Sequence, residues 1–323
     1  MMNIDSKIYV AGHNGLAGSA IYRKLSSLGY KNIIIRTHKE LDLENQQDVI
    51  TFFKKNKPDY VFIAPAKVGG IHANSTYKAE FIYNNLMIQS NVINASYKNN
   101  VKRLVFLGST CIYPRLCKQP MNEDDLLSGP LEPTNESYAI AKIAGVKMIE
   151  AYNKQYNTNY LALMPTNMFG PNDNYDLKTS HVLPALIRKI HEAKIMNNKE
   201  VVIWGSGSPR REFLFVDDFA KACIFLFNLK KNSFRELIKM SWGPIVNIGY
   251  GKDFKIIDIA KIIKDIIGFK GNFIFDKTKP DGTKRKLLDS SVLNELNWKP
   301  ETDIKEAIEI TYKDFLNKLE KRV

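Results

Sequence analysis

Lys7-Ile8-Tyr9-Val10-Ala11-Gly12-His13-Asn14-Gly15-Leu16-Ala17-Gly18 is a short apolar run that breaks at a glycine and resumes with helical spacing as far as Leu28. Its glycines stand at GxxGxxG spacing, a variant of the dinucleotide fingerprint. Glycine lets the backbone turn tightly and approach a pyrophosphate, and the helix N-terminus adds N–H donors and a positive dipole end. Gly12, Asn14, Gly15, Leu16 and Gly18 are therefore the candidate cofactor residues of this turn.

Outward from that turn the first half alternates strands and helices. Asn32–Arg36, Asp59–Ala64 and Arg103–Leu107 read as further strands. Asp42–Lys55 and Tyr77–Lys98 have helical spacing, the former with an acidic start that suits the helix dipole. Such alternation, with strands apolar on both faces, predicts an α/β fold: a Rossmann-type doubly wound parallel sheet covered by helices. A long loop with Pro114, Pro120, Pro130 and Pro133 follows the fourth strand. Loops of that length inside a domain are usually functional.

After Pro165 the pattern loosens, and a smaller C-terminal α/β substrate domain is expected. The expected division is a cofactor domain over residues 1–165 with a returning segment at 213–249. Residues 166–212 and 250–323 then form the substrate domain.

The chain has 323 residues, 44% hydrophobic and 25% charged, which excludes a disordered or fibrous protein. Three cysteines make no disulfide framework, and none has zinc-site spacing, so no metal is expected. No apolar run reaches the roughly 18 residues of a membrane span, and the start lacks a signal peptide's apolar centre. A soluble, cytoplasmic protein is the expectation. Lys+Arg at 47 against Asp+Glu at 34 gives a net charge of +13. Scattered lysines such as Lys54, Lys55 and Lys57 read as solvated faces, and no basic stripe interleaved with aromatics points to nucleic acid.

The second strand ends in Arg36 rather than an acidic residue, which favours NADP, since a basic group there accommodates the 2′-phosphate. Tyr138 and Lys142 lie one helical turn apart, so the ammonium can approach the phenol and favour its anion. Ser109, just past the fourth strand, falls at the same carboxyl-end crevice as Gly12 and can hydrogen-bond the oxygen that Tyr138 protonates.

These residues resemble the extended short-chain dehydrogenase/reductases that act on nucleotide sugars, most closely the GDP-L-fucose synthase family. The resemblance is carried by Ala66–Ile71, Leu107–Pro114, Leu131–Glu136, Met164–Asn167, Ser180–Leu186, Trp204–Gly207 and Lys279–Thr283. It implies that Ser109, Tyr138 and Lys142 form a reductase triad, and that Cys111 and His181 exchange protons at C3 and C5 of a GDP-4-keto sugar. It also carries Leu107, Lys142, Pro165, Asn167, Met168 and His181 to the NADP(H) site, and Lys189, Trp204, Arg211 and Asp281 to the GDP-sugar. Family relatives often pair through two long helices, here Tyr77–Lys98 and Ser137–Tyr156, so a homodimer is expected.

The chain departs from the family pattern at Asn14, where an arginine commonly grips the 2′-phosphate, and at Pro65, which replaces a small residue. Three other readings stay open beside the epimerase-reductase. One is a C4 reductase alone, acting on a related GDP-4-keto sugar such as a heptose; discrimination of one added group in an apolar pocket is worth only about 1–3 kcal/mol. Another is a 4,6-dehydratase, disfavoured because Cys111 stands where that family carries an acidic residue. The third is a non-catalytic NADP-binding regulator, disfavoured because Tyr138 and Lys142 are both present.

Overall fold

Apolar runs without a polar face are stable only within a sheet covered on both sides, and the chain places them there. The computed structural model describes residues 2–279 and 281–320; Pro280 of the Lys279–Thr283 motif and the last three residues of the expected substrate domain lie outside the described residues. The chain runs β1 Ile8–Ala11, α1 Leu16–Ser27, β2 Ile33–Ile34, α2 Gln46–Asn56, β3 Tyr60–Ile63, α3 Ile71–Thr76, α4 Lys78–Lys98, β4 Arg103–Leu107, α5 Glu136–Tyr156 and β5 Tyr160–Pro165. It continues through β6 Asn167–Phe169, α6 Val182–Ile195, β7 Glu200–Trp204, β8 Arg210–Phe215, α7 Val216–Phe227, α8 Lys231–Ile238 and β9 Ile245–Ile248. It closes with β10 Asp253–Lys255, α9 Ile256–Ile267, β11 Asn272–Asp276, β12 Arg285–Lys286, α10 Ser291–Glu295 and α11 Ile304–Glu320.

Six strands form one sheet in the order β2-β1-β3-β4-β5-β9, every pair parallel. From β1 the chain moves first to one side and then to the other, so the switch point lies between β1 and β3, where such folds bind ligands. Alternate residues of β1 feed two cores: Ile8 and Val10 pack with α1 and α7, Tyr9 and Ala11 with α2 and α4. A third core gathers Phe169, Ile187, Phe213, Ile259 and Ile308 from the later elements, around β8 with its partners β6, β10 and β12. Among the described residues, no helix is long and apolar enough to cross a membrane.

Three local features differ from the sequence reading. The second strand shrinks to Ile33–Ile34, because it is the sheet's edge and pairs only with β1. The second helix starts at Gln46 rather than Asp42. Asn45 caps it by accepting from the backbone N–H of Gln47 (3.0 Å) and Asp48 (3.3 Å), while Asp42 is spent on a turn, accepting from Glu44 N–H at 2.9 Å. The long helix of the third crossover is preceded by the short α3.

Candidate active site

β4 ends at Leu107, and Gly108 follows because a side chain there would overlap the Met164 thioether. Ser109 then opens a 3₁₀ turn over Thr110–Ile112, its Oγ 3.4 Å from the Cys111 backbone N–H. Helix α5 lies close against β4 because Gly145 faces Phe106: a Cβ there would stand 2.6 Å from the ring. That approach lets Lys142, only 3% exposed, donate from Nζ to the Leu107 carbonyl at 2.7 Å. The ammonium lies 5.7 Å from the Tyr138 ring centroid and 4.6 Å from that of Phe106. The Ser109 hydroxyl is within hydrogen-bonding reach of both the Tyr138 phenol and the Cys111 thiol.

The electrostatics correct one expectation. Lys142 does not bring the phenol down: burial, with the Cys111 sulfur close by, pushes the Tyr138 pKa above its ordinary value, opposed only by the Ser109 hydrogen bond. Burial outweighs a cation that is already hydrogen-bonded elsewhere. The same burial pulls Lys142 down to about 8. Cys111, 5% exposed, has its thiol pushed up by burial, while Ser109, Lys286 and Lys142 act the other way. His181 precedes α6, and the protein packed around it holds its imidazole below the usual range even though the ring opens to the cleft.

A groove of about 640 Å³ crosses the carboxyl ends of the strands, lined by Gly12, Asn14, Gly15, Leu16, Gly18, Leu107, Lys142, Pro165, Asn167, Met168 and His181, together with Pro65. Arg36 sits apart from it, in a side cavity of about 210 Å³ with His13, Asn14 and His38. The groove fits a dinucleotide. Gly12 has φ +75°, and a Cβ there would stand 2.7 Å from Pro65 N. At Gly18 a Cβ would overlap the Gly12 carbonyl oxygen. Gly15 gives α1 no side-chain cap, so the first N–H groups of that helix are left for a ligand. Gly18→Ala must push the glycine turn out of place. We expect NADPH affinity to fall at least about 10-fold by fluorescence titration, the loss of roughly one or two backbone hydrogen bonds.

A second cavity of about 690 Å³ shares Ser109, Tyr138, Asn167 and His181 with the groove and adds Cys111, Asn74, Asn135, Arg211, Asp281 and Lys286. Arg211 donates to the Thr283 carbonyl at 2.6 Å, and both Asp281 oxygens accept from Ser206, at 2.6 and 2.8 Å. Lys189 and Trp204 do not line this cavity. They stand together next to its Asp281 end, the Lys189 Nζ 4.9 Å from the indole centroid, with Trp204 54% exposed.

Sequence reasoning passed over Lys286. It faces Cys111 and Arg211, its ammonium is held down by burial, and among the described residues it makes no ion pair. Its signal is absent from the sequence because β12 is two residues long and only its pairing with β8, Lys286 opposite Arg211, puts it in the cavity. Passed over too were His13, Asn74, Asn135, Asp173 and Ser180. Each carries a buried polar atom with no hydrogen-bond partner among the described residues, and each lines one of these three cavities. Orphaned buried polar atoms cost free energy unless a ligand or water completes them.

A dinucleotide groove that runs into a buried phenol and ammonium is the arrangement of a nicotinamide-dependent oxidoreductase. Comparison with known proteins narrows this. The NAD dependent epimerase/dehydratase family model matches residues 8–249. GDP-L-fucose synthase 1 of Arabidopsis thaliana is 52% identical over 98% of this chain and 95% of its own. The GDP-L-fucose synthase of Escherichia coli strain K12 is 49% identical over 96% of each. Among solved structures, a GDP-mannoheptose C4 reductase from Campylobacter jejuni with NADP bound superposes with a TM-score of 0.88 at 39% identity, covering 98% of this chain and 100% of that one. The chain belongs to the NAD dependent epimerase/dehydratase family and, within it, to the GDP-L-fucose synthases.

Proposed function

We propose that this protein is an NADPH-dependent epimerase-reductase of a GDP-4-keto-6-deoxy-hexose, inverting C3 and C5 and then reducing the C4 ketone. The observation that carries it is that Cys111 and His181 share one cavity with Ser109 and Tyr138, so proton exchange and reduction can act on one bound sugar. The C4 carbonyl acidifies the hydrogens on either side. Cys111, acting as the thiolate that burial disfavours and Lys286 and Lys142 favour, takes a proton from carbon, the electron pair moves onto the C4 oxygen, and Ser109 and Tyr138 hold that enolate by hydrogen bonds. His181, which takes up a proton from solvent where its ring opens to the cleft, returns one to carbon on the opposite face. When bound, NADPH supplies the hydride that C4 accepts. Tyr138, kept protonated by burial, gives its proton to the C4 oxygen, leaving an alcohol. Arg211 and Lys286 bring positive charge suited to the diphosphate, and Arg36 and His13 line the side cavity suited to the 2′-phosphate.

We further assign residues 1–165 and 213–249 to cofactor binding and the remainder to the sugar nucleotide, supported by β9 completing the main sheet. Pairing of two copies through α4 and α5 is supported by outward apolar side chains such as Tyr83, Ile140 and Tyr156.

Likeness to the heptose reductase favours a second reading, C4 reduction without epimerisation. One experiment separates them: incubation with GDP-4-keto-6-deoxy-mannose and NADPH in heavy water, with the product read by mass spectrometry. Two solvent deuterons on carbon, with NADPH consumed, is the expected result. Reduction without carbon label leaves a C4 reductase alone, and no NADPH consumption refutes this substrate. Cys111→Ser is expected to slow deuterium incorporation about 100-fold, the usual weight of a positioned base. Reduction of an already epimerised substrate should change less than about 3-fold. Equal losses would show that Cys111 does not act as a separate proton carrier.

A further inference from the structure

The first turn of α3 sets Asn74 in the wall of the larger cavity, 8% exposed. Its carboxamide orientation is fixed. Nδ2 donates to the Gly69 carbonyl at 2.6 Å and the Gly70 carbonyl at 3.1 Å, which uses both of its hydrogens. Turning the amide over would set Oδ1 against two carbonyl oxygens, so the atom left over is an acceptor. Among the described residues that Oδ1 has no partner.

The Gly69–Gly70 strip that Asn74 grips packs on the segment leading to His181. Gly70 N–H donates to the Thr179 carbonyl at 3.2 Å, and a Cβ on Gly70 would stand 3.1 Å from the Ser180 carbonyl. Asn74 therefore belongs to the His181 side of the cavity, where the sugar reacts. A lone buried acceptor there calls for a neutral hydroxyl donor. In a 4-keto-6-deoxy sugar, C4 is a carbonyl and C6 a methyl group, so the donors are the C2 and C3 hydroxyls. A heptose would add a hydroxyl at C6.

We propose that Asn74 is a specificity-determining residue whose Oδ1 accepts a hydrogen bond from a ring hydroxyl of the keto sugar. The proposal rests on the functional reading above and names the group that reads the sugar within it. A ligand lacking that hydroxyl leaves the acceptor unpaired, and the site discriminates against it.

The test is kcat/KM with NADPH for GDP-4-keto-6-deoxy-mannose, its 2-deoxy and 3-deoxy analogues and the GDP-4-keto-heptose, using the wild type and Asn74→Ala. The wild type should lose about 10-fold or more with one deoxy analogue, and Asn74→Ala should lose less than about 2-fold with that same analogue. If the variant instead erases a preference for the heptose over the hexose and leaves the deoxy losses intact, the acceptor reads the exocyclic C6 hydroxyl and not a ring hydroxyl, which overturns the proposal. A role confined to holding the Gly69–Gly70 strip would lower all substrates alike and keep the discrimination, which overturns the proposal. The wild-type comparison needs no variant to fold: turnover of every analogue within about 2-fold of the parent also overturns it. Failure of the wild type to consume NADPH with any of these sugars overturns the functional reading itself, and the proposal with it.

Discussion

Tyr138→Phe is expected to cut reduction of a GDP-4-keto sugar by about 10³-fold while NADPH affinity moves less than about 2-fold. The substitution removes one oxygen and keeps the ring, whose edge-to-face contact with Phe81 at 6.3 Å and 80° needs no hydroxyl. The cofactor's main cradle, the Gly12–Gly18 turn and α1, is untouched. What disappears is the proton that must reach the C4 oxygen as hydride arrives at carbon. Ser109 still hydrogen-bonds that oxygen, so the loss should not extend to the uncatalysed rate. Because burial raises the phenol's pKa, wild-type activity should not fall on the alkaline side through Tyr138 ionising, and the variant should keep the wild-type pH profile at its lower level. Steady-state kinetics across pH, with NADPH titrated by fluorescence, checks both points. Turnover within about 10-fold of wild type would remove Tyr138 from its role.

The parts of this molecule that were legible in the sequence are those whose requirement is local. The glycine turn could be read because strand, turn and helix are adjacent in the chain, and the steric demand falls on Gly12 and Gly18 within seven residues. β1, β3 and β4 could be read because burial on both faces leaves them almost wholly apolar, Arg103 at the start of β4 being the one charged residue in them. β9 could not be foreseen as the sheet's outer partner of β5, since its four residues carry no signal of which strand they join. The substrate cavity was legible only through family resemblance. Its walls come from residues 69–74, 109–138, 167, 181, 211 and 281–286, and no spacing rule links them. The direction of the Tyr138 shift was missed for the same reason. An i, i+4 pair reports proximity, whereas the sign is decided by how deeply the pair is buried and by where the ammonium donates, here the Leu107 carbonyl.

Lys142→Met is expected to lower kcat/KM about 100-fold, and the wild type should show why in its pH dependence. The working form of Lys142 is the ammonium, which holds the Leu107 carbonyl and lies beside the phenol. Burial brings its pKa down to about 8, so the active form is lost as pH rises through about 8, where an ordinary lysine, near 10.4, is still fully charged. kcat/KM for NADPH, which reports the free enzyme, should therefore fall about 10-fold per pH unit above that point. Anionic cofactor in the groove favours the ammonium, so the kcat profile should break at higher pH than the kcat/KM profile. Stability runs the other way. The folded pKa lies below the unfolded one, so charged Lys142 costs folding free energy below about pH 8, and that cost is relieved as pH rises from about 8 toward 10.4. Lys142→Met removes the buried charge with little change in volume, so its melting temperature at pH 7 should not drop with its activity. That separation keeps the test interpretable: an inactive but stable variant locates the loss in the ammonium. A wild-type profile flat to pH 10, or a methionine variant above about one third of wild-type activity, would show that the charge on Lys142 is not what the reaction uses.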